Sequence, residues 1–227
     1  MPEPQDAKSV WIGGASRGIG ADLHTTLETA GWDVLPLARS LGTDLTVPGT
    51  MDKLLSEHPC PYAWLHCMGD YLEKEILETN QSEWEHLFAS NFISVLYAAG
   101  ALLPKMAAEG GGRFLVFGSS GLSLATGKVR APAYFAVKSA LLSAIKSLAR
   151  QWAPLGITIN MISPGVIVHE TSHAASAQRM ATRIPVGRTG TARDVRGLVE
   201  LLLDERGSYI TGEEISVDGG LFLQGLG

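Results

Sequence analysis

Short apolar runs alternate with stretches of helical periodicity along the chain, and this alternation restricts it to βαβ units around a parallel sheet. The runs are Ser9 to Ile12, Val34 to Ala38, Ala63 to Cys67, Phe114 to Phe117, Ile157 to Ile162 and Glu214 to Val217, with a short extended piece at Thr43 to Leu45. Helical patterns fall between them at Gly18 to Ala30, Met51 to Glu57, Ser82 to Ala107, Pro132 to Trp152 and Thr191 to Leu203. The segment Arg39 to Leu45 leaves no room for a helix, so one crossover is compressed. With no linker and no repeat, residues 1–227 read as a single doubly wound, Rossmann-like α/β domain. The expected sheet has about seven parallel strands in the order 3-2-1-4-5-6-7.

Composition narrows the function. A net charge of -5 and the lack of any Lys or Arg run give no electrostatic footprint for nucleic acid. The first residues lack the basic and apolar regions of a secretory signal. Uninterrupted apolar runs such as Val95 to Leu103 stop well short of the roughly 18 residues that a membrane span needs. A cytoplasmic protein without a membrane partner is expected. Cys60 and Cys67 have neither disulfide-framework nor zinc-site spacing and read as free thiols.

Between the first apolar run and the first helix lies Gly14-Ala15-Ser16-Arg17-Gly18-Ile19-Gly20. Glycine there permits a tight turn, close approach of backbone to a pyrophosphate, and tight packing of helix on sheet. Gly14, Ser16, Arg17, Gly18, Ile19 and Gly20 are therefore candidate cofactor contacts. At the end of the second strand, where a carboxylate would bind the ribose hydroxyls of NAD, the chain carries Arg39. Arg39 and Arg17 together, with no competing acid in view, suit the extra phosphate of NADP.

Tyr134 and Lys138 are four residues apart near the start of a helix, hence on one face. An ammonium so placed can stabilise a phenolate and lower its pKa toward the working range. Ser119 and Ser120 end the preceding strand, at the sheet edge where doubly wound proteins hold ligands, and either hydroxyl could bond a carbonyl that Tyr134 protonates.

In this order the residues resemble the short-chain dehydrogenase/reductase family. The match runs from the glycine turn through Asp44-Leu45, Asn91, Ser119, Tyr134 with Lys138, and Pro164-Gly165 to Val217-Asp218-Gly219-Gly220. The resemblance implies that Tyr134 is the general acid or base, that Lys138 lowers its pKa and binds the nicotinamide ribose, and that Ser119 positions the carbonyl, with Ser120 as the alternative. Asn91 would hold a water linking Lys138 to solvent. Cofactor contacts would also come from Asp44, Leu45, Met68, Gly69, Tyr134, Lys138, Pro164, Gly165 and Ile167, and substrate contacts from Ser119, Ser120, Tyr134 and His169. The implied reaction is reversible hydride transfer between NADP(H) and a small-molecule carbonyl or alcohol, with a 3-oxoacyl thioester or small ketone favoured. A homodimer or homotetramer would form through the helices at Ser82 to Ala107 and Pro132 to Trp152.

Several residues depart from the family pattern. His66-Cys67-Met68-Gly69 stands where the family has Asn-Asn-Ala-Gly, His169 stands where a threonine is usual, and Gly13 replaces a threonine opening the glycine turn. His66 reads as a packing histidine. His169-Glu170-Thr171-Ser172-His173 also matches HExxH, the zinc-hydrolase spacing, but lies within what reads as a substrate lid over residues 168–184 and lacks a third ligand, so no metal is expected. A non-catalytic NADP-binding sensor is the remaining alternative.

Overall fold

The computed structural model describes residues 8–124, 127–168 and 174–223. Among them six strands form one parallel sheet in the order β2-β1-β3-β4-β5-β6: β1 (Ser9–Gly13), β2 (Asp33–Leu37), β3 (Ala63–His66), β4 (Gly112–Phe117), β5 (Ile157–Pro164) and β6 (Glu214–Val217). Successive side chains on a strand face opposite sides, and here both sides are apolar because both are covered. Val10, Ile12, Ala63, Leu65, Leu115 and Phe117 pack with Leu23 and Leu27 of α1 (Gly18–Thr29) and with Val195 and Val199 of α7 (Arg193–Leu203). Trp11, Trp64, Phe114 and Val116 face the other layer, made by α2 (Thr50–Glu57), α4 (Ser94–Ala108) and α5 (Pro132–Trp152). A short α6 (Ala174–Ala181) lies before α7.

The expected strand at Thr43 to Leu45 does not form, so the sheet has six strands and ends at β2. Asp44 explains this: its Oδ1 accepts from the backbone N of Thr46 at 2.9 Å and from the Thr46 hydroxyl at 2.6 Å. That local turn takes the backbone out of ladder geometry.

The helix expected from Ser82 to Ala107 is a composite. α3 (Gln81–Phe88) opens with a capping box between Asn80 and Glu83, and a π-turn at Ala89–Ile93 joins it to α4. The whole run, Gln81–Ala108, is long and apolar enough to cross a membrane by length and composition, contrary to the expectation from its shorter uninterrupted apolar runs. Half of its most apolar stretch is buried in the protein. At the start of α5, Ala131 takes the left-handed conformation (φ 53°) just before Pro132, a sterically costly pair that fixes where the helix begins.

Candidate active site

The carboxyl ends of β1, β3, β4 and β5 all open on one edge of the sheet, and the chemistry-bearing residues collect there. The turn after β1 is tied to the end of β2, because the amides of Gly14 and Ala15 both donate to the Leu37 carbonyl, at 2.8 and 3.2 Å. Gly14 has φ +85°, and a Cβ on it would stand 2.8 Å from the amide nitrogen of Met68. A Cβ on Gly20 would fall on the Gly14 carbonyl oxygen, and Leu45, fully buried, packs against Gly13 from below. The turn therefore presents bare backbone at the start of α1, whose first amides receive no side-chain cap from Arg17. This fits a pyrophosphate, which accepts from such amides and is favoured by the helix dipole.

Ser16 and Arg17 are exposed on the turn, and Gly18 and Ile19 begin the helix. Asp44 lies next to Leu45, its carboxyl held below the usual range first by the Thr46 hydroxyl and then by the Thr46 amide. Arg39 follows β2, but the expectation of no competing acid is overturned: its Nη2 lies 3.4 Å from Oδ2 of Asp70. The sequence concealed this partner because Asp70 is 31 residues away and reaches Arg39 only through the strand order.

Beyond β3, Gly69 brings the backbone against the catalytic candidates. A Cβ on Gly69 would fall on Oδ1 of Asn91 and stand 3.3 Å from Nζ of Lys138. Asn91 is fully buried on the π-turn, where the extra residue per turn is a frequent mark of functional sites. Its Nδ2 lies within hydrogen-bond distance of the carbonyls of Asp70 (2.9 Å) and Leu87 (3.1 Å), while Oδ1 has no partner. Lys138 is 3% exposed and donates to the Phe117 carbonyl at 2.8 Å. Burial lowers its pKa to about 8.

Tyr134 stands one turn before Lys138, with the Lys138 nitrogen 5.8 Å from its ring centre. Burial pushes the phenol up to about 12, Tyr71 adds to the rise, and a hydrogen bond with Ser119 opposes it. The lowering expected from Lys138 is not among the causes of this shift, desolvation dominates, and Tyr134 carries its proton at neutral pH. The two serines separate by partner: Ser119 meets Tyr134, whereas the Ser120 hydroxyl donates to the Asp218 carboxylate and its amide to the Pro164 carbonyl. Gly165 in turn donates to Val217, and Ile167 pairs with Gly190. Pro164, Gly165 and Ile167 therefore border the same edge.

His66 is fully buried, 3.1 Å from the Ser94 hydroxyl, and burial lowers its pKa to about 3, with Lys138 adding to the fall. It is a neutral packing group that braces the π-turn region. Tyr71, whose ring meets Tyr134 edge-on at 5.1 Å, joins the site without any signal in sequence spacing, whereas Asp218, part of the family resemblance, enters it through its bond with Ser120. His169 and the HExxH stretch lie outside the described residues, as does that part of the lid. Among the described residues no group of three or more His, Cys, Asp or Glu could hold a metal.

Comparison with known proteins identifies the family. A family model described as enoyl-(acyl carrier protein) reductase matches residues 43–222. The 3-oxoacyl-(acyl-carrier-protein) reductase FabG of Salmonella typhimurium is 28% identical, covering 96% of this chain and 98% of the relative. The 2-dehydro-3-deoxy-D-gluconate 5-dehydrogenase of Escherichia coli is 27% identical, over 95% of each. Two solved structures share the fold: ElxO with NADP bound, with TM-score 0.88 and 22% identity over 96% of this chain and 100% of that one, and a short chain dehydrogenase from Leptospira borgpetersenii with bound NAD+, with TM-score 0.86 and 23% identity over 96% and 93%. The match across most of the chain, on a doubly wound sheet with this site at its edge, means that the chain belongs to the short-chain dehydrogenase/reductase family of oxidoreductases.

Proposed function

We propose that this single-domain chain is an NADP(H)-dependent reductase that converts a carbonyl to an alcohol, or runs the reverse, with a 3-oxoacyl thioester or small ketone as substrate. The observation that carries the reading is the meeting of Ser119, protonated Tyr134 and buried Lys138 at the carboxyl edge of the sheet. The FabG relatives support the thioester class.

Gly14, Ser16, Gly18, Ile19 and Gly20 would hold the pyrophosphate, Arg17 and Arg39 the 2′-phosphate, and Asp44 and Leu45 the adenosine end. Met68, Gly69, Pro164, Gly165 and Ile167 would line the nicotinamide half, with Tyr134 and Lys138 reaching its ribose. When bound, the nicotinamide supplies or accepts the hydride. The Ser119 hydroxyl orients the substrate carbonyl, Tyr134 gives its proton to the carbonyl oxygen as negative charge develops there, and the Lys138 ammonium stabilises the phenolate left behind. Asn91, through its unpartnered Oδ1, orders a water that returns a proton from solvent.

The α3–α4 run leaves half of its most apolar stretch outside the core, and a second copy of the chain covering it in a homodimer or homotetramer accounts for that surface. Two free thiols, Cys60 and Cys67, suit a reducing cytoplasm.

The test is NADPH oxidation against a panel of carbonyls that includes an acetoacetyl thioester, small ketones and keto-sugar acids. Turnover of a carbonyl is expected. NADPH binding with no turnover on any of them would favour a sensor instead.

A further inference from the structure

β1 lies between β2 and β3 in the sheet, and the glycine turn caps its carboxyl end. Arg39 follows β2 and Asp70 follows Gly69 beyond β3, so the Arg39–Asp70 ion pair, 3.4 Å between Nη2 and Oδ2, bridges over the strand that carries the cradle.

The two partners are not equally anchored. Asp70 is held on three sides: its carbonyl accepts from Asn91 Nδ2 at 2.9 Å, its amide donates to the Ser90 hydroxyl at 3.3 Å, and its Oδ2 lies 2.8 Å from Nε2 of His86. Its side chain is 28% exposed, against 55% for Arg39. Asp70 is the fixed post and Arg39 the arm that leans to it. The lean is toward β3 and across the cradle, whereas a group at the end of β2 reads the adenosine ribose from the β2 side.

We infer that Asp70 is a specificity-determining residue that competes with the 2′-phosphate of the cofactor for the Arg39 guanidinium. This rests on the NADP reading of the site. The carboxylate is a built-in anion for Arg39. A ligand carrying a 2′-phosphate must displace it to gain the guanidinium, while a ligand without that phosphate makes no claim on Arg39. Asp70 therefore narrows the preference for the phosphorylated cofactor, and its removal widens it. An exposed ion pair of this kind corresponds to an effect of about two- to fivefold in affinity.

The test is calorimetric titration of the full chain with 2′,5′-ADP, which carries the 2′-phosphate, and with ADP, which does not. In Asp70→Asn the dissociation constant for 2′,5′-ADP should fall about two- to fivefold while that for ADP changes by less than about 1.5-fold. Asp70→Ser should behave alike, which guards against a folding defect in one variant. In an Arg39→Ala background, Asp70→Asn should have no effect on either ligand. Equal tightening for both ligands would show only a general charge effect and overturn the inference, as would weaker 2′,5′-ADP binding, which would make Asp70 an aid to Arg39. If Arg39→Ala, with Asp70 in place, leaves 2′,5′-ADP binding unchanged, the NADP reading itself falls and takes the inference with it.

Discussion

The Lys138 ammonium stands 5.8 Å from the centre of the Tyr134 ring, one helical turn along α5, and its own hydrogen bond goes to the Phe117 carbonyl at 2.8 Å. The two groups are shifted in opposite directions by one cause. Burial disfavours charge on each, so the phenol is pushed up to about 12 and the lysine down to about 8. At neutral pH the pair therefore stands as a protonated acid beside a cation, the state that a carbonyl reduction consumes.

Replacing Tyr134 with Phe keeps the ring and removes the transferable proton. NADPH oxidation should drop by about 10²- to 10⁴-fold. NADPH affinity, read by fluorescence titration, should stay within about twofold, because one lost hydroxyl contact on the ribose is a small part of the binding energy. Full turnover by Tyr134→Phe would remove Tyr134 as the acid.

Lys138 also sets a pH dependence. Its pKa falls from the ordinary lysine value of 10.5 to about 8 on folding, so between those values the unfolded chain holds a proton that the folded chain has released. The Lys138 contribution to stability should therefore rise with pH from about 8 to about 10.5, with the cost of the buried charge fully present below 8, while Cys60 and Cys67, whose thiols burial pushes up, oppose it above about pH 9. Urea unfolding of the protein without added cofactor at pH 7.5 and 9.5 checks this, and Lys138→Met should abolish that contribution. Carbonyl reduction should change in the other sense, weakening as the ammonium is lost above about pH 8.

Ser119 and Ser120 should be separable. Ser119→Ala should cost about 10²- to 10³-fold in kcat, as expected for a donor aimed at developing charge. Ser120→Ala breaks the bond to Asp218 and should lower stability by about 1–2 kcal/mol with a smaller effect on kcat. Thermal melting and steady-state kinetics on both variants distinguish these roles, and the opposite pattern would exchange them.

Gly14→Ala places a methyl 2.8 Å from the Met68 amide in a backbone conformation with φ +85°. A loss of about 1–3 kcal/mol in stability is expected from the strained conformation. NADPH binding should fall more steeply than stability alone explains, since the turn can no longer offer bare backbone. Unchanged affinity in the folded variant would mean that the pyrophosphate sits elsewhere.

Much of this was readable in the residues themselves. The apolar runs placed the strands within a residue or two because both faces of a parallel sheet are buried, and the i, i+4 spacing of Tyr134 and Lys138 placed both side chains together because α5 is regular there. Thr43 to Leu45 failed as a strand because a side-chain bond from Asp44 competes with the ladder, a local effect that hydrophobic pattern does not register. The Ser82 to Ala107 pattern gave the helical run but not the π-turn inside it, since one inserted residue hardly disturbs the periodicity.

The order of glycine turn, serine, tyrosine and lysine along the chain determined the fold class and the family, because these are local constraints on backbone and helix face. Tertiary structure alone decided which serine meets Tyr134, which way burial moves the phenol, and that Asp70 stands beside Arg39. Each of those depends on groups far apart in sequence, on desolvation, or on the order of strands in the sheet, and none of these is a property of neighbouring residues.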